Sequence, residues 1–230
     1  MFLFFCGGCN FRCPFCSNAS LIPIESGSIV DVELIKRRIL ENINYLDAVG
    51  ATGGEPTLQP TPIVQIFKWV KKVGVKTFLN TNGSNSQLIQ KLITGNLLDH
   101  VAIDVKAPLA PEIYGKIIGR TEDVERIIAN IKQSLELCRK AGLSVEIRTT
   151  IVPSLIDKES YIREIARFSK TYGSYVLQQY FPSEDVYEES LRNIKPTDKA
   201  QLVKLAQASL EEGAKNVYIR TRENGMERVK

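Results

Sequence analysis

Four of the chain's five cysteines stand in eleven residues near the amino terminus, Cys6-Gly7-Gly8-Cys9-Asn10-Phe11-Arg12-Cys13-Pro14-Phe15-Cys16. Thiolates this close together make a soft-metal site, because polarisable sulfur selects zinc or iron-sulfur centres over hard cations. A disulfide framework fits poorly, since such frameworks belong to small secreted domains and not to one dense knot in a large chain. Two groupings remain open. Cys6, Cys9, Cys13 and Cys16 together give two C-x2-C pairs, enough to close a tetrahedral zinc site or a complete cluster. Cys9-x3-Cys13-x2-Cys16 gives three thiolates, which leave one iron of a four-iron cluster open for chemistry.

At 230 residues, 43% apolar and 24% charged, the chain is long enough to bury one substantial core, and a single domain over 1–230 is expected. A net charge of +4 is too mild to argue for nucleic acid without a localised patch. The basic carboxyl end, with Arg220, Arg222, Arg228 and Lys230, also carries Glu223 and Glu227 and reads as a solvated tail. The apolar opening Met1 to Phe5 has no basic flank. It is also shorter than the roughly 7–15 residues of a signal core. No stretch reaches the roughly 20 apolar residues of a membrane helix. A cytoplasmic protein is expected, and a reducing compartment suits the thiols.

Beyond the cysteines the pattern alternates. Strands are predicted over 2–5, 46–51, 76–80, 99–105, 144–152, 175–180 and 216–220. Helices are predicted after Asp31 as N-cap and over 62–73, 87–93, 122–141, 158–172 and 197–211, each with apolar residues at helical spacing. Strict alternation of this kind predicts parallel strands joined by right-handed crossovers. The cysteine loop would then lie at the carboxyl end of strand one, where α/β architectures build their sites. Polar groups end the later strands: Gly53-Gly54-Glu55-Pro56, Asn80-Thr81-Asn82-Gly83 and Asp104-Val105-Lys106. Paired glycines permit close backbone approach or positive φ, a carboxylate can bind an ammonium, and Asp104 and Lys106 are spaced to share a face.

The C-x3-C-x2-C run with Phe15 before its last cysteine resembles the signature of the radical S-adenosylmethionine (radical SAM) superfamily, and Gly53 to Pro56 resembles that superfamily's GGEP element. The TNG turn and the Asp104-x-Lys106 strand end are similar to those of glycyl-radical-enzyme activases, relatives of the pyruvate formate-lyase activating enzyme. The stretches Val145 to Pro153 and Tyr175 to Pro182 look most like activating proteins of anaerobic ribonucleoside-triphosphate reductase. The resemblance implies an α/β fold, a partial TIM-like (β/α)6 barrel. It implies a 4Fe-4S cluster on Cys9, Cys13 and Cys16, with S-adenosylmethionine at Phe15, Gly53, Gly54, Glu55, Thr81, Asn82, Asp104, Lys106 and Arg148. Cys9, Cys13, Cys16 and Lys106 would be the catalytic set. A monovalent cation sits beside the Asp and Lys in that family; Asn80 here replaces a frequent Asp and removes a charge.

The implied activity is reductive cleavage of the cofactor to a 5′-deoxyadenosyl radical, which takes hydrogen from a glycine of a partner enzyme. Anaerobic ribonucleotide reductase is the expected partner, and flavodoxin or ferredoxin the expected electron donor. Two alternatives stand beside it: a radical enzyme acting on a small molecule or RNA, and an electron-transfer or zinc-binding module using all four clustered cysteines. Cys6 reads first as a small core residue and second as a fourth ligand. His100 and Cys138 read as structural.

Overall fold

A computed structural model describes all residues from Met1 to Lys230. Eight strands follow one another in sequence order in one sheet, with β1 and β8 at its ends. They are β1 (Phe2–Cys6), β2 (Ala48–Gly53), β3 (Lys76–Thr81), β4 (His100–Asp104), β5 (Ser144–Ile151), β6 (Ser174–Gln179), β7 (Val217–Thr221) and β8 (Gly225–Arg228). The pairs β1/β2, β2/β3, β5/β6 and β6/β7 are parallel, and β7/β8 is antiparallel. The helices are α1 (Val32–Leu40), α2 (Pro60–Lys72), α3 (Ser86–Thr94), α4 (Pro111–Ile118), α5 (Val124–Lys140), α6 (Glu159–Ser169) and α7 (Lys199–Glu211). The expected β/α sheet is therefore present, mostly parallel and not closed into a full barrel.

Two elements depart from expectation. Helix α4 occupies a segment left without an element, and the carboxyl end forms β8 in place of a featureless tail. That end is nevertheless mostly exposed, and Glu227 on it pairs with Lys199 at 2.8 Å.

The chain divides into two compact units. The first comprises Met1–Asn10, Ser20–Ala102 and Asn130–Ser144. Within it α2 buries Ile63, Ile66, Phe67 and Val70, and Val49, Ala51 and Leu79 of β2 and β3 are fully buried. Helix α1 starts at Asp31, whose side chain accepts from the Glu33 N–H as an N-cap should. Helix α3 is capped likewise by Asn85, which accepts from the Leu88 N–H.

The second unit comprises Phe11–Ala19, Ile103–Ala129 and Val145–Lys230. Here α6 buries Ile162, Ile165 and Ala166, α7 buries Leu202, Leu205 and Ala206, and Tyr175, Val176, Leu177, Val217 and Ile219 of β6 and β7 complete the core. The three consecutive buried residues of β6, the alternation of β7 and the helical spacing in α6 and α7 follow from which faces must leave water.

Candidate active site

In the first unit the ends of β1, β2 and β3 are bound together by backbone. The Gly54 N–H donates to Cys6 O at 2.8 Å, and the Glu55 N–H donates to Gly8 O at 2.7 Å. The paired glycines are required by this contact. Gly53 has φ +114, and a Cβ there would lie 2.5 Å from the Cys6 backbone; a Cβ on Gly54 would lie 2.2 Å from Gly8 O. What approaches the glycines closely is thus the stem of the cysteine loop. Farther along that stem the Gly8 and Cys9 amides donate to Leu21 O and Ile22 O, and the Gln59 amide to Gly7 O.

Glu55 is almost wholly buried, at 1% exposure. Its Oε1 accepts from Thr57 N–H (3.0 Å), Thr57 Oγ1 (2.6 Å) and Thr81 Oγ1 (2.7 Å), and its Oε2 from Asn82 N–H (2.7 Å). Burial drives this carboxyl above the usual carboxylate range, and the donors from Asn82, Thr57 and Thr81 pull against that without cancelling it. In the structure this carboxylate is a strut between the ends of β2 and β3. Thr81 is committed to the same strut, and the Gly83 N–H donates to its hydroxyl at 3.1 Å.

Asn82 faces the residue after Cys9. Its amide nitrogen donates to Asn10 Oδ1 at 2.8 Å, and the Asn10 amide nitrogen donates to Ser84 Oγ at 2.8 Å. The Ser84 N–H in turn donates to Asn82 Oδ1 at 3.0 Å, and the Asn130 amide to Ser84 O at 3.0 Å. Asn10 and Ser84 escaped the sequence reading because nothing local couples residues this far apart. Asn80 donates to Thr52 Oγ1 at 3.0 Å.

Cys6 closes β1 with 6% exposure. Burial, and then the charge of Glu55, push its thiol up to about 12, so it stays protonated and serves as a core residue. Cys138 on α5 is fully buried and is likewise pushed up to about 12 by burial. His100 stacks on Phe78, ring centroids 5.1 Å apart, and its Nδ1 lies 2.9 Å from Ser144 Oγ, a structural setting as expected.

The second unit holds Cys13 and Cys16. The Cys16 N–H donates to Cys13 O, the Tyr187 N–H to Cys16 O, the Glu188 N–H to Pro14 O and the Arg12 N–H to Ile118 O. Gly119, in the left-handed region at φ +64, ends α4 against this loop; a Cβ there would lie 2.2 Å from Arg12 O. The expected Asp104–Lys106 pair is present, with Lys106 Nζ 3.0 Å from Asp104 Oδ2. The same ammonium lies 5.9 Å from the centroid of the Phe15 ring. Burial works against the Lys106 charge, but Asp104 and Cys13 outweigh it and raise its pKa. Arg148 pairs with Glu146, which shares its face of β5, and both side chains are mostly buried. Glu146 was not picked out from sequence, although its two-residue spacing from Arg148 was the available signal.

Tyr114 of α4 completes this group. Its side chain is fully buried, and its hydroxyl has no hydrogen-bond partner. Burial raises the phenol strongly; Lys106 opposes that, and Cys13 and Asp104 add to it, so it remains protonated.

Residues 3–169 match the family described as the Radical SAM superfamily. The chain belongs to the radical SAM superfamily. A protein of Methanocaldococcus jannaschii named as a glycyl-radical enzyme activating enzyme is 35% identical over 219 residues, 93% of this chain and 86% of that one. The pyruvate formate-lyase-activating enzyme of Clostridium pasteurianum is 27% identical over 86% of this chain and 85% of its own. This radical SAM chain is thus a relative of the glycyl-radical activases. Among solved structures, Streptococcus suis SuiB bound to S-adenosylmethionine superposes with a TM-score of 0.73 at 15% identity, over 95% of this chain and 49% of SuiB. The chain therefore spans about half of SuiB's length. A domain of the Bacteroides vulgatus pyruvate-formate lyase-activating enzyme gives 0.57 at 17% identity, over 75% of this chain and 98% of that domain. These likenesses speak for the shared fold.

Membership of this superfamily implies a 4Fe-4S cluster and S-adenosylmethionine. The residues present fit both. Cys9, Cys13 and Cys16 are free of disulfides, and Cys9 and Cys16 are partly accessible. The glycine-walled stem holds the loop's base.

Proposed function

We propose that this chain, acting as a single radical SAM domain over 1–230, generates a glycyl radical on a partner enzyme. The C-x3-C-x2-C spacing of Cys9, Cys13 and Cys16 carries the reading. These three would hold the cluster, leaving one iron for the cofactor. When bound, the cluster supplies one electron for cleavage of the cofactor's sulfonium, giving methionine and a 5′-deoxyadenosyl radical. Cys6 stays in the core.

The chain's own residues would place and shield the cofactor. Glu55 has committed its carboxylate oxygens to Thr57, Thr81 and Asn82. Recognition of the cofactor's amino group would fall to the backbone of Gly53 and Gly54 and to the Glu55 carboxylate, whose Oε2 accepts from the Asn82 N–H alone, with Thr81 and Asn82 holding that turn in shape. Lys106, set by Asp104 over Phe15, supplies positive charge for the cofactor's carboxylate and a wall for its adenine. Arg148, set by Glu146, supplies a second cation on β5. The relatives' names support a glycyl-radical enzyme as target, and the stretches 145–153 and 175–182 favour anaerobic ribonucleotide reductase. A low-potential flavodoxin or ferredoxin in the cytoplasm would supply the electron.

The test is anaerobic reconstitution, reduction, and measurement of 5′-deoxyadenosine with and without candidate partners. A doublet radical signal on a partner glycine is expected. Turnover that needs only a small molecule or an RNA, with no radical on any partner, would overturn the activase reading. Cys6→Ala should keep its iron and Cys9→Ala should lose it; loss of the centre in Cys6→Ala would instead make Cys6 the fourth ligand.

A further inference from the structure

Asn10 follows Cys9 directly and is the last residue of the first unit before the chain passes to the second at Phe11. Its side chain closes a ring with two residues of the turn after β3. The Ser84 N–H, which can only donate, donates to Asn82 Oδ1 at 3.0 Å and so fixes which way that amide points. Asn82 Nδ2 is thereby turned to Asn10 Oδ1 at 2.8 Å, and Asn10 Nδ2 to Ser84 Oγ, also at 2.8 Å. Each bond of the ring sets the orientation of the next.

The turn is the fixed side of this ring. Ser134 and Asn130 of α5 donate to Gly83 O at 2.8 Å and to Ser84 O at 3.0 Å, and the Asn82 N–H donates to Glu55 Oε2 at 2.7 Å. Asn82 itself is buried. Asn10 is the held side. It is only half-buried, so water could serve its amide, yet both ends of that amide are spent on one turn more than 70 residues away in sequence. Just before it the Cys9 N–H donates to Ile22 O, so a backbone bond and the side-chain ring bracket Cys9.

We propose that Asn10 is the positioning residue for Cys9: the ring holds the backbone that carries this thiolate to the turn ending β3, and so aligns a cluster on Cys9 with a cofactor bound at Gly53 to Glu55, to which Asn82 is bonded. The inference rests on the cluster assignment made above. Groups that orient a metal ligand through hydrogen bonds, without touching the metal, typically cost about 10–100-fold in metal affinity or activity when removed. Opening the ring lets Cys9 shift while α5 and Glu55 keep the turn in place, and reacting groups tolerate little misplacement.

Ser84→Ala is the decisive variant, because it opens the ring at one bond and leaves the backbone bonds of Ser84 to Asn82 and Asn130 in place. In the metal-free chain it should speed hydrogen exchange at the Cys9 amide while the far-UV circular dichroism spectrum stays that of wild type. After reconstitution it should keep its iron and lower kcat for 5′-deoxyadenosine by about tenfold, with KM for S-adenosylmethionine changed much less. Asn10→Ala should act alike, and the double variant should lose no more than Asn10→Ala alone, since either change opens the ring. Wild-type exchange at Cys9 or wild-type kcat in Ser84→Ala overturns the inference alone, as do single effects that multiply in the double variant. A raised KM at constant kcat also overturns it, by making the ring a cofactor contact. A wild-type chain that binds zinc or no metal overturns the cluster assignment and this inference together.

Discussion

Glu55 shows how one side chain can hold the ends of two strands together. Each of its carboxylate oxygens accepts a backbone N–H, from Thr57 on one side and Asn82 on the other. Glu55→Gln preserves the shape but turns one of those oxygens into an NH2 group, which must face an N–H in either orientation. The expected cost is about 1–3 kcal/mol for a buried donor left unpaired. Chemical denaturation of the metal-free chain measures it, and equal stability of wild type and variant would remove the strut role. The cysteine spacing and the Asp104-x-Lys106 pair were legible because each lies within a few residues of sequence. Glu55's role was not, since its partners Thr81 and Asn82 come from the end of another strand and only the parallel pairing of β2 with β3 brings them near. Asn10, Ser84 and Tyr114 were hidden for the same reason.

At the scale of elements, polar links fix where strands begin. Asp99 stands just before β4 and joins it to β3 and α2: its Oδ1 accepts from Lys71 Nζ at 2.6 Å, and its Oδ2 from Thr77 N–H at 2.7 Å and Thr77 Oγ1 at 3.0 Å. Burial alone would raise this carboxyl, but the Lys71 and Thr77 bonds hold it below the usual range. A depressed folded pKa gives stability that is full above the unfolded value of about 3.9 and is lost as pH falls through the folded one. Asp99→Asn should therefore cost about 1 kcal/mol at neutral pH. The gap to wild type should shrink as the pH drops below about 4, and a gap that stays constant down to pH 2 would contradict the link. The alternation of β and α was readable because short apolar runs for the strands and helical spacing for the helices persist through most segments. Helix α4 was missed because its eight residues begin with Pro111 and enclose Gly115, which weakens local helix propensity. Strand β8 was missed because Gly-Met-Glu-Arg has little strand character and is held by pairing with β7.

For the whole molecule, the question is whether the metal centre builds the fold or is received by it. In small zinc domains the ligands are most of the core, and the apo chain unfolds. Here each compact unit has its own buried apolar side chains, from Ile63, Phe67, Val49 and Leu79 in one to Ile165, Leu205, Val176 and Ile219 in the other. The cysteine loop is also tied down without metal, by Gly8 and Cys9 to Leu21 and Ile22 in the first unit and by Arg12 to Ile118 and Tyr187 to Cys16 in the second. These bonds hold each part of the loop within its own unit without iron. Stripping the reconstituted protein with a chelator under reducing conditions should thus abolish the cluster's visible absorption and leave the far-UV circular dichroism spectrum unchanged. The melting temperature should fall only by the contribution of a ligand that binds the native state, since the cores remain intact. Collapse of the helical signal on chelation would mean that the cluster is a structural staple, and the metal-free measurement on Glu55→Gln would then report on an unfolded chain.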